Sequence, residues 1–362
     1  MRIAFYAPLK SPSHPVPSGD RLMARQLIRA LELAGHTVDV ASEFRSFAAT
    51  PEAALEIQQM ARGELERLRL RWADEPRPEL WFCYHPYYKS PDLFGPDLCA
   101  EFGIPCVTAE ASYSPKRDQS DWAPSQARIA AQVREAAVSI ALTERDRLGL
   151  QQAVPEARIA SLSPFIDTAP FLALLPKPEP SRLISVAMMR SGDKMQSYAM
   201  LAAALRVIKS QPWTLTIVGD GPMRTEVEEL FGDFGSERIE WLGEQSATEI
   251  LAHLAGAGIY VWPGCGEAYG LAYLEAQAAG LPVVAQRTAG VPEVVQADFS
   301  GYLTPDGDIA AYAASIGRLL ADPSKRSSMG EYARRFVFQE RSLTVAASAL
   351  DTILRRYAGA AT

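Results

Sequence analysis

Residues 259–286 read IYVWPGCGEAYGLAYLEAQAAGLPVVAQ, and this stretch decides the fold. It begins with the apolar run IYVWPG, passes through a glycine-rich loop, becomes helical in pattern from Leu271, and ends in the apolar run PVVAQ. Gly280 followed by Pro282 predicts a clean end to the helix. A short apolar run, a helix and a second apolar run are typical of the βαβ unit of a parallel sheet.

The same alternation extends over the whole chain. Each half supplies six apolar runs, which is enough for a doubly wound sheet of its own. The predicted fold is therefore α/β, with two Rossmann-like domains. The predicted strands are 2–7, 37–42, 80–85, 105–109, 138–143 and 158–163 in the first half, and 182–188, 214–219, 238–243, 259–264, 282–286 and 301–304 in the second.

A proline-rich stretch separates the two sets of strands. At 362 residues the chain is long enough for about two domains. Several prolines close together, as in DTAPFLALLPKPEPSR, favour a stiff connector. The sequence therefore predicts a first domain over 1–170, a linker over 171–181 and a second domain over 182–339.

The composition excludes several classes of protein. Hydrophobic residues make up 48% and charged residues 22%, which is typical of a soluble globular protein. The net charge of −7 argues against a nucleic-acid-binding protein. We expect no signal peptide and no membrane span, because no apolar run is long enough. The cysteines form no metal-binding or disulfide pattern, so we expect free thiols in a cytoplasmic protein; they are Cys83, Cys99, Cys106 and Cys265.

The charged segment 52–77 carries both signs at helical spacing. We expect a solvent-exposed helix there, and peripheral contact with a membrane surface is the alternative.

Gly19 follows the first predicted strand and stands at the start of a predicted helix that ends before Gly35. Backbone amides at such a turn can bind an anion, although Gly19 is as readily an ordinary turn residue. The loop contains neither the glycine pattern of dinucleotide-binding proteins nor that of the P-loop.

Arg190 and Lys194 follow the first strand of the second half and precede a helix. Two cations at the carboxyl end of a parallel strand can hold a diphosphate, the arginine as a planar fork and the lysine as a point charge. The alternative is a pair of solvated surface residues.

Glu267 and Glu275 stand on either side of the start of the helix at Leu271. Eight helical steps correspond to about 12 Å of rise and about 80° of rotation, so the two carboxylates do not share one face as metal ligands would. That offset suits the length of a nucleotide sugar, with hydroxyl groups at both ends. The amides from Tyr269 to Ala272, including those of Gly270 and Leu271, then face phosphate oxygens at the positive end of the helix.

The run GEAYGLAYLEAQAAGLPVVAQRTAGVPEVV resembles the E-x7-E region of the family 4 retaining glycosyltransferases. The resemblance continues through TLTIVGDGP, ERIEWLGEQSATEILAHLAGAGIYVWP and SGYLTPDGD, and so covers residues 182–335. It is looser in the first half. It implies the GT-B fold, with two Rossmann-like domains facing each other across a cleft and a terminal helix, here 340–362, that crosses back to the first domain.

The resemblance also implies roles for particular residues. Arg190 and Lys194 match the basic pair that holds the donor diphosphate, and Gly19 lies where a first-domain loop approaches it. Glu275 matches the glutamate that binds the ribose hydroxyls, and Glu267 the one near the donor hexose. Gly219 and Leu242 correspond to the surroundings of the base.

Two departures from the family pattern affect these assignments. The family motif separates its arginine and lysine by five positions, whereas four separate Arg190 and Lys194. Many members carry a histidine after the fourth strand of the first domain, where this chain has Glu110 and Ala111. His85, at the end of LWFCYH, is a candidate catalytic residue in its stead, and a structural or acceptor-contacting role is equally consistent with its position.

The expected function is the transfer of a hexosyl unit from a nucleotide diphosphate sugar to a hydroxyl acceptor with retention of configuration. The acceptor would be a glycan, a lipid-linked sugar or a small molecule. No cofactor and no catalytic metal are expected, and Asp306-Gly307-Asp308 is interpreted as a turn followed by a helix N-cap. The alternatives are a sugar phosphorylase or epimerase of the same fold, and a non-catalytic nucleotide-sugar-binding protein. We expect a cytoplasmic protein, with peripheral membrane contact at the inner face as a further option.

Overall fold

The structure is a computed structural model in which residues 1–359 are described. It divides into two compact units: Met1–Ser163 together with the chain from Leu343 onward, and Pro164–Ser342. All twelve predicted strands are present, and each unit contains its own six-stranded parallel sheet. The predicted pair of Rossmann-like doubly wound domains is confirmed.

The first unit is built on a parallel sheet with the strand order β2-β1-β3-β4-β5-β6. Its strands are β1 (Arg2–Tyr6), β2 (Thr37–Ser42), β3 (Leu80–Tyr84), β4 (Cys106–Ala109), β5 (Val138–Ala141) and β6 (Ile159–Ser161). Its helices are α1 (Gly19–Leu33), α2 (Pro51–Asp74), α3 (Gly95–Phe102), α4 (Ala123–Glu135), α5 (Glu144–Ala153) and α14 (Leu343–Tyr357), with a short 3-10 helix at Pro115–Arg117.

The core of the first unit explains why its strands read as continuous apolar runs. Every residue of β3 is buried, since helices cover both faces of a parallel sheet. Tyr6, Trp81 and Phe94 form an aromatic cluster with ring centroids 4.7 to 5.9 Å apart. The amphipathic helix α14 packs against α1 of the same unit. Helix α14 therefore belongs to the same unit as β1 and α1.

The second unit has the strand order β12-β11-β10-β7-β8-β9, again all parallel. Its strands are β7 (Arg182–Val186), β8 (Thr214–Val218), β9 (Ile239–Gly243), β10 (Ile259–Val261), β11 (Val283–Gln286) and β12 (Gly301–Thr304). Its helices are α6 (Ala169–Leu172), α7 (Asp193–Val207), α8 (Arg224–Leu230), α9 (Ala247–Gly256), α10 (Leu271–Ala278), α11 (Val291–Val294), α12 (Ile309–Ala321) and α13 (Pro323–Glu340).

Each sheet has one topological switch point, where consecutive connections leave a strand in opposite directions. In the first unit this point lies between β1 and β3, and in the second between β7 and β10. Loops at the carboxyl ends of two such strands diverge and leave a crevice, which is where open α/β sheets bind ligands. The strand order therefore selects four loops, those that follow β1, β3, β7 and β10.

The proline-rich stretch differs from the connector that the sequence predicts. The division between the units falls at Ser163 and Pro164, and residues 171–181 lie inside the second unit. Lys177 and Glu179 alternate with prolines and donate backbone hydrogen bonds to the carbonyls of Ala255 and Gly256. Because the residues between the prolines keep their amide hydrogens, the stretch can pack along the end of α9.

Two further features concern helices and strand ends. The strand predicted over 80–85 ends at Tyr84, because His85 adopts a left-handed conformation with a φ of 60°. Within residues 1–359, none of the helices has both the length and the apolar composition needed to cross a bilayer.

Candidate functional site

The loop after β7 carries the two predicted cations of the second unit. It runs from Ala187 to Gly192, and Gly192 is the N-cap of α7. Lys194 is the second residue of that helix, and Arg190 lies in the loop itself. Arg190 is half-buried and makes no hydrogen bond or ion pair with any residue of the described chain. Its guanidinium thus has its full set of donors available for a ligand.

Lys194 is paired with the first of the two predicted glutamates. Its Nζ lies 2.5 Å from Oε2 of Glu267, which belongs to the loop after β10. The ammonium group also lies 5.4 Å from the ring centroid of Trp262, whose Nε1 donates to the same oxygen of Glu267 over 3.4 Å. We call Arg190, Lys194, Trp262 and Glu267 the β7–β10 cluster.

Backbone contacts hold the loops of this cluster together. The amide of Cys265 donates to Oγ of Ser197 over 2.9 Å, and that hydroxyl donates to the carbonyl of Asp193 over 2.9 Å. Gly266 has a φ of 64°, in the left-handed region, and a Cβ atom there would lie 2.2 Å from Oδ2 of Asp193. Only glycine permits this approach, which fixes the loop carrying Glu267 against the start of α7.

The loop after β8 forms another wall beside the β7 loop. The amide of Met189 donates to the carbonyl of Asp220 over 2.9 Å, and the amide of Met223 donates to the carbonyl of Met189 over 3.1 Å. Gly219 has a φ of 141°, and a Cβ atom there would lie 1.9 Å from the carbonyl oxygen of Ala187. The two loops meet backbone to backbone, so no side chain can stand between them.

Gly219 also connects to the end of β9, where the family resemblance implies the wall that receives the base. Its amide donates to the carbonyl of Gly243 over 2.8 Å. Leu242, the preceding residue, is half-buried, and its carbonyl accepts a hydrogen bond from Nε2 of Gln245 over 2.7 Å. The ends of β7, β8 and β9 are thus joined by direct backbone contacts.

The helix α10 begins at the end of the β10 loop. Its N-cap is Gly270, which has a φ of 80°, and Tyr269 just before it is buried. The amides of Leu271 and Ala272 have no acceptor among the residues that the structure describes. Unsatisfied amides at a helix N-terminus carry partial positive charge and suit an anion.

Glu275 is the fifth residue of α10, and it is half-buried. Its carboxylate makes no hydrogen bond or ion pair within residues 1–359. Desolvation raises the pKa of Glu275 to about 7. An acid that is desolvated without a partner stores an unfavourable interaction, which a hydroxyl donor from a ligand would relieve.

The two glutamates do not contact one another, but both act on one tyrosine. Burial raises the pKa of Tyr260 well above its ordinary value, and the charges of Glu267 and Glu275 raise it further. The Tyr260 hydroxyl donates to the carbonyl of Val186, at the end of β7, over 3.3 Å. Both acids follow β10 in the chain, Glu267 in the loop after it and Glu275 on α10.

In the first unit the structure places Gly19 and His85 at the corresponding switch point. Gly19 is the first residue of α1, and the hydroxyl of its N-cap Ser18 accepts a hydrogen bond from the amide of Arg21. A Cβ atom at Gly19 would meet nothing within 4 Å. Asp20 is the next residue, and its Oδ1 lies 2.9 Å from Nδ1 of His85.

Three carboxylates act on His85. Burial alone would lower the pKa of His85, but the hydrogen bond to Asp20 and the charges of Glu110, Asp20 and Asp146 outweigh burial and raise it to about 9. Desolvation alone would raise the pKa of Asp20. The hydrogen bond to His85 and the charge of His85 outweigh desolvation and lower that pKa. The hydrogen bond to Asp20 and these charges thus favour the protonated form of His85.

The DGD sequence is a turn and a helix cap, as the sequence predicts. Asp308 is the N-cap of α12, and its Oδ1 accepts a hydrogen bond from the amide of Ala311 over 2.9 Å. Across the described part of the chain, no group of three or more His, Cys, Asp or Glu side chains is arranged to hold a metal ion.

Two contributors to these sites are absent from the sequence predictions. Trp262 follows β10 directly and contacts both Lys194 and Glu267. Asp20, in the first turn of α1, is the partner of His85. An aromatic residue directly after a strand is the signal that would have found Trp262, and an acidic residue in the first turn of a helix is the signal for Asp20.

The second unit matches a known family. Residues 175–336 match the profile of the family described as "Glycosyl transferases group 1". A GDP-mannose-dependent phosphatidylinositol monomannoside mannosyltransferase of Mycolicibacterium smegmatis is 31% identical over 202 residues, which cover 50% of this chain and 52% of that protein. The related enzyme of Corynebacterium glutamicum, specific by name for a monoacylated monomannoside, is 32% identical over 213 residues, covering 56% and 52%. The chain thus aligns with about half the length of these relatives.

Solved structures match over nearly the whole chain. Sucrose-phosphate synthase from Thermosynechococcus elongatus superposes with a TM-score of 0.79 at 20% identity, over 98% of each chain. Anabaena HepE in complex with UDP superposes with a TM-score of 0.69 at 16% identity, over 98% of this chain and 100% of that one. At these identities the likeness establishes the fold alone.

The two Rossmann-like units and these structural matches define a protein of the GT-B fold class. Within that class, residues 175–336 match the glycosyltransferase profile and the aligned relatives are named as mannosyltransferases, in agreement with the family that the sequence resembles.

Proposed function

We propose that this protein transfers a hexosyl unit from a nucleotide diphosphate sugar to a hydroxyl acceptor, with retention of anomeric configuration. The proposal rests chiefly on the β7–β10 cluster, in which Lys194 pairs with Glu267 at the switch point while Arg190 is left without a partner among the described residues. Cations, a carboxylate and free helix amides are the groups that a diphosphate joined to a sugar requires.

The diphosphate is proposed to bind Arg190, Lys194 and the amides of Leu271 and Ala272. The ammonium group of Lys194 has three donors, so it can keep Glu267 and still donate to a phosphate oxygen. As the bond between sugar and phosphate breaks, negative charge grows on the leaving diphosphate. Donors that are already in place stabilise this charge without reorganisation, which is commonly the largest contribution to catalysis.

The glutamates are proposed to bind the two ends of the donor. Glu275 accepts hydrogen bonds from ribose hydroxyls, and the main support is its desolvated carboxylate without a protein partner. Glu267 accepts a hydrogen bond from a hydroxyl group of the donor hexose near the reacting carbon. Gly219 and Leu242 border the base, because backbone contacts between the β8 and β9 ends leave a wall without intruding side chains.

The proposed chemistry requires no strong base and no catalytic metal. The departing phosphate oxygen can take the proton of the acceptor hydroxyl on the face from which it leaves. Two cationic side chains and the helix amides supply the positive charge that a metal supplies in other transferases. Full activity in EDTA, without a gain from added manganese, is the expected result.

The first unit is proposed to bind the acceptor. Two features lie at the switch point of this unit: the open turn at Gly19, and His85, which we propose contacts the reacting substrates. Aromatic side chains continue from His85, with ring centroids 5.5 Å apart for His85 and Tyr87 and 5.2 Å apart for Tyr88 and Trp122. Such rings can stack on sugar faces.

The names of the relatives suggest classes of substrate. Two aligned mannosyltransferases are named for GDP-mannose and for phosphatidylinositol mannosides, while the HepE structures contain UDP or UDP-glucose. We therefore propose a GDP- or UDP-hexose as donor and a glycan or a lipid-linked sugar as acceptor. A cytoplasmic protein with peripheral membrane contact fits the second kind of acceptor.

A thermal-shift screen with UDP-, GDP-, ADP- and TDP-sugars tests donor binding first. A ligand at about 100 times its Kd stabilises the folded protein by about 2.7 kcal/mol, so one nucleotide is expected to raise the melting temperature selectively. The selected donor is then incubated with hydroxyl acceptors, and transfer is followed by mass spectrometry.

The outcomes separate the alternatives. Turnover of the donor with no acceptor alcohol, or with inorganic phosphate alone, would indicate an epimerase or a phosphorylase. Donor binding with neither transfer nor hydrolysis over hours would indicate a non-catalytic binding protein. No stabilisation by any nucleotide sugar would contradict the proposal as a whole.

A further inference from the structure

The pair Asp20 and His85 has the appearance of a general-base dyad. A carboxylate can only accept a hydrogen bond, so Nδ1 of His85 must carry the hydrogen that lies between it and Oδ1 of Asp20. The same arrangement in hydrolases turns the other ring nitrogen into a proton acceptor. Nε2 of His85 has no hydrogen-bond partner among residues 1–359, so it is the atom that a substrate can reach.

The surroundings of His85 decide between a neutral and a charged imidazole. Carboxylates approach it from three elements: Asp20 from α1, Glu110 from the end of β4 and Asp146 from α5. The side chain of His85 is only 21% exposed, so water screens these charges weakly. The charge of Lys10 is among the largest contributions to the pKa of Asp20, which it lowers, whereas the largest contributions of charge to His85 all come from carboxylates.

The backbone holds two of these groups in place. His85 and Glu110 follow adjacent strands, and both adopt left-handed conformations, with φ values of 60° and 57°. The amide of His85 donates to the carbonyl of Ala109, the residue before Glu110, over 2.8 Å. The backbones of His85 and Glu110 are therefore held side by side at the ends of the two strands.

We propose that Asp20 and Glu110 are positioning residues that keep His85 as an imidazolium, so that Nε2–H donates a hydrogen bond to a substrate oxygen and His85 does not act as a general base. Three carboxylates surround this one cation and would repel a fully charged anion. The oxygen that fits is therefore a neutral hydroxyl of a sugar. The identity of the substrate rests on the proposed function, but the charge state of His85 does not.

The first experiment follows the imidazole carbon and proton NMR signals from about pH 6 to about pH 10. His85→Gln assigns the signal of His85, and His253 in the other unit reports that the protein stays folded. The expected midpoint for His85 is near 9, and Asp20→Asn or Glu110→Gln is expected to lower it by about 1 pH unit or more, because each removes an adjacent negative charge. Asp121→Asn, an exposed carboxylate that is not among the groups acting on His85, is the matched control.

A midpoint for wild-type His85 near the ordinary value of about 6.5, or one that neither variant moves, would overturn the proposal. Two positioning variants are used so that poor folding of one leaves the other decisive. This readout needs no turnover, so it separates a failure of the inference from a failure of the proposed function.

The second experiment uses transfer kinetics with the selected donor and acceptor. His85→Gln keeps a neutral donor, so a higher KM with a kcat within about tenfold of wild type is expected. Loss of a general base would instead lower kcat by about 10²- to 10⁴-fold. That larger loss, together with a wild-type kcat that rises with pH around His85 deprotonation, would contradict the donor role.

Discussion

Nζ of Lys194 lies 2.5 Å from Oε2 of Glu267, although 73 positions separate the two residues in the chain. One residue follows β7 and the other follows β10, the two strands of the switch point of the second unit. The pair is half-buried, with side-chain exposures of 32% and 21%. It joins the group proposed to hold the diphosphate to the carboxylate proposed to bind the hexose.

Replacement of Lys194 by alanine is expected to lower kcat for hexosyl transfer by about 10²- to 10³-fold, because it removes a fixed donor to the charge that grows on the leaving group. The measurement is steady-state transfer with the donor at saturation. Lys209→Ala is the control, since Lys209 is an exposed residue of the same unit whose Nζ donates to the carbonyl of Asp233 and lies 5.8 Å from the ring centroid of Phe234. Turnover of Lys194→Ala near the wild-type rate would contradict the electrostatic account.

Glu275→Gln is expected to stabilise the ligand-free protein at alkaline pH. The pKa of Glu275 is raised to about 7 in the folded protein, so between about pH 4.5 and 7 the folded state keeps a proton that the unfolded chain has lost. Wild-type stability therefore falls as pH rises through this range. Glutamine removes this penalty, which amounts to at most about 3 kcal/mol above pH 7.

Urea unfolding at about pH 5 and about pH 8 measures this difference between wild type and Glu275→Gln, which should be larger at the higher pH. Glu226→Gln, at an exposed position on α8, should show no such dependence. The Glu275 variant should also bind the nucleotide more weakly, because an amide oxygen accepts a ribose hydroxyl less strongly than a carboxylate does. An equal change in unfolding free energy at both pH values would contradict the burial argument.

Gly219→Ala is expected to destabilise the second unit by about 2 kcal/mol or more, because the new Cβ would collide with the carbonyl of Ala187 in a backbone conformation that favours glycine. Nucleotide binding should weaken as the β7 and β8 loops separate. Gly63→Ala is the matched control: Gly63 lies inside α2 with open space around it, so alanine should stabilise the protein by about 0.5–1 kcal/mol. Equal effects of the two substitutions would argue against the close backbone contact.

Asp92→Ala is expected to destabilise the first unit by about 3 kcal/mol or more. The buried carboxylate accepts hydrogen bonds from Nε1 of Trp81 over 2.8 Å, from the amide of Gly95 over 2.7 Å and from Nε2 of Gln132 over 3.3 Å, all of which would lose their acceptor. Asp97→Ala, at an exposed position in the first turn of α3, should cost about 0.3–1 kcal/mol. Chemical unfolding compares the two, and similar losses would contradict the role of Asp92.

The sequence predicts the strands well for a physical reason. Strands covered on both faces, such as β3 with its run LWFCY, must be apolar at every position, and they stand out from the amphipathic helices around them. Helix ends are equally legible where glycine marks them, as at Gly280 after α10. The strand order adds what the apolar runs alone do not give, namely which loops share a switch point.

The sequence does not predict the pairings within the sites. Lys194 and Glu267, like Asp20 and His85, come together only because the strand order brings distant loops to one edge of a sheet. The desolvation of Glu275 is hidden for a similar reason, since exposure on a short helix depends on what packs around it. The residue types therefore indicate which side chains contribute to the sites. Their partners and their charge states can be inferred only once the fold is known.

A crystal structure of the protein with the nucleoside diphosphate selected by the thermal screen is the most direct test of the central claim. The diphosphate oxygens are expected within hydrogen-bonding distance of Nζ of Lys194, the guanidinium of Arg190 and the amides of Leu271 and Ala272, with ribose hydroxyls on Glu275. A nucleotide bound away from the ends of β7 and β10, with Arg190 and Lys194 free of phosphate, would contradict the account.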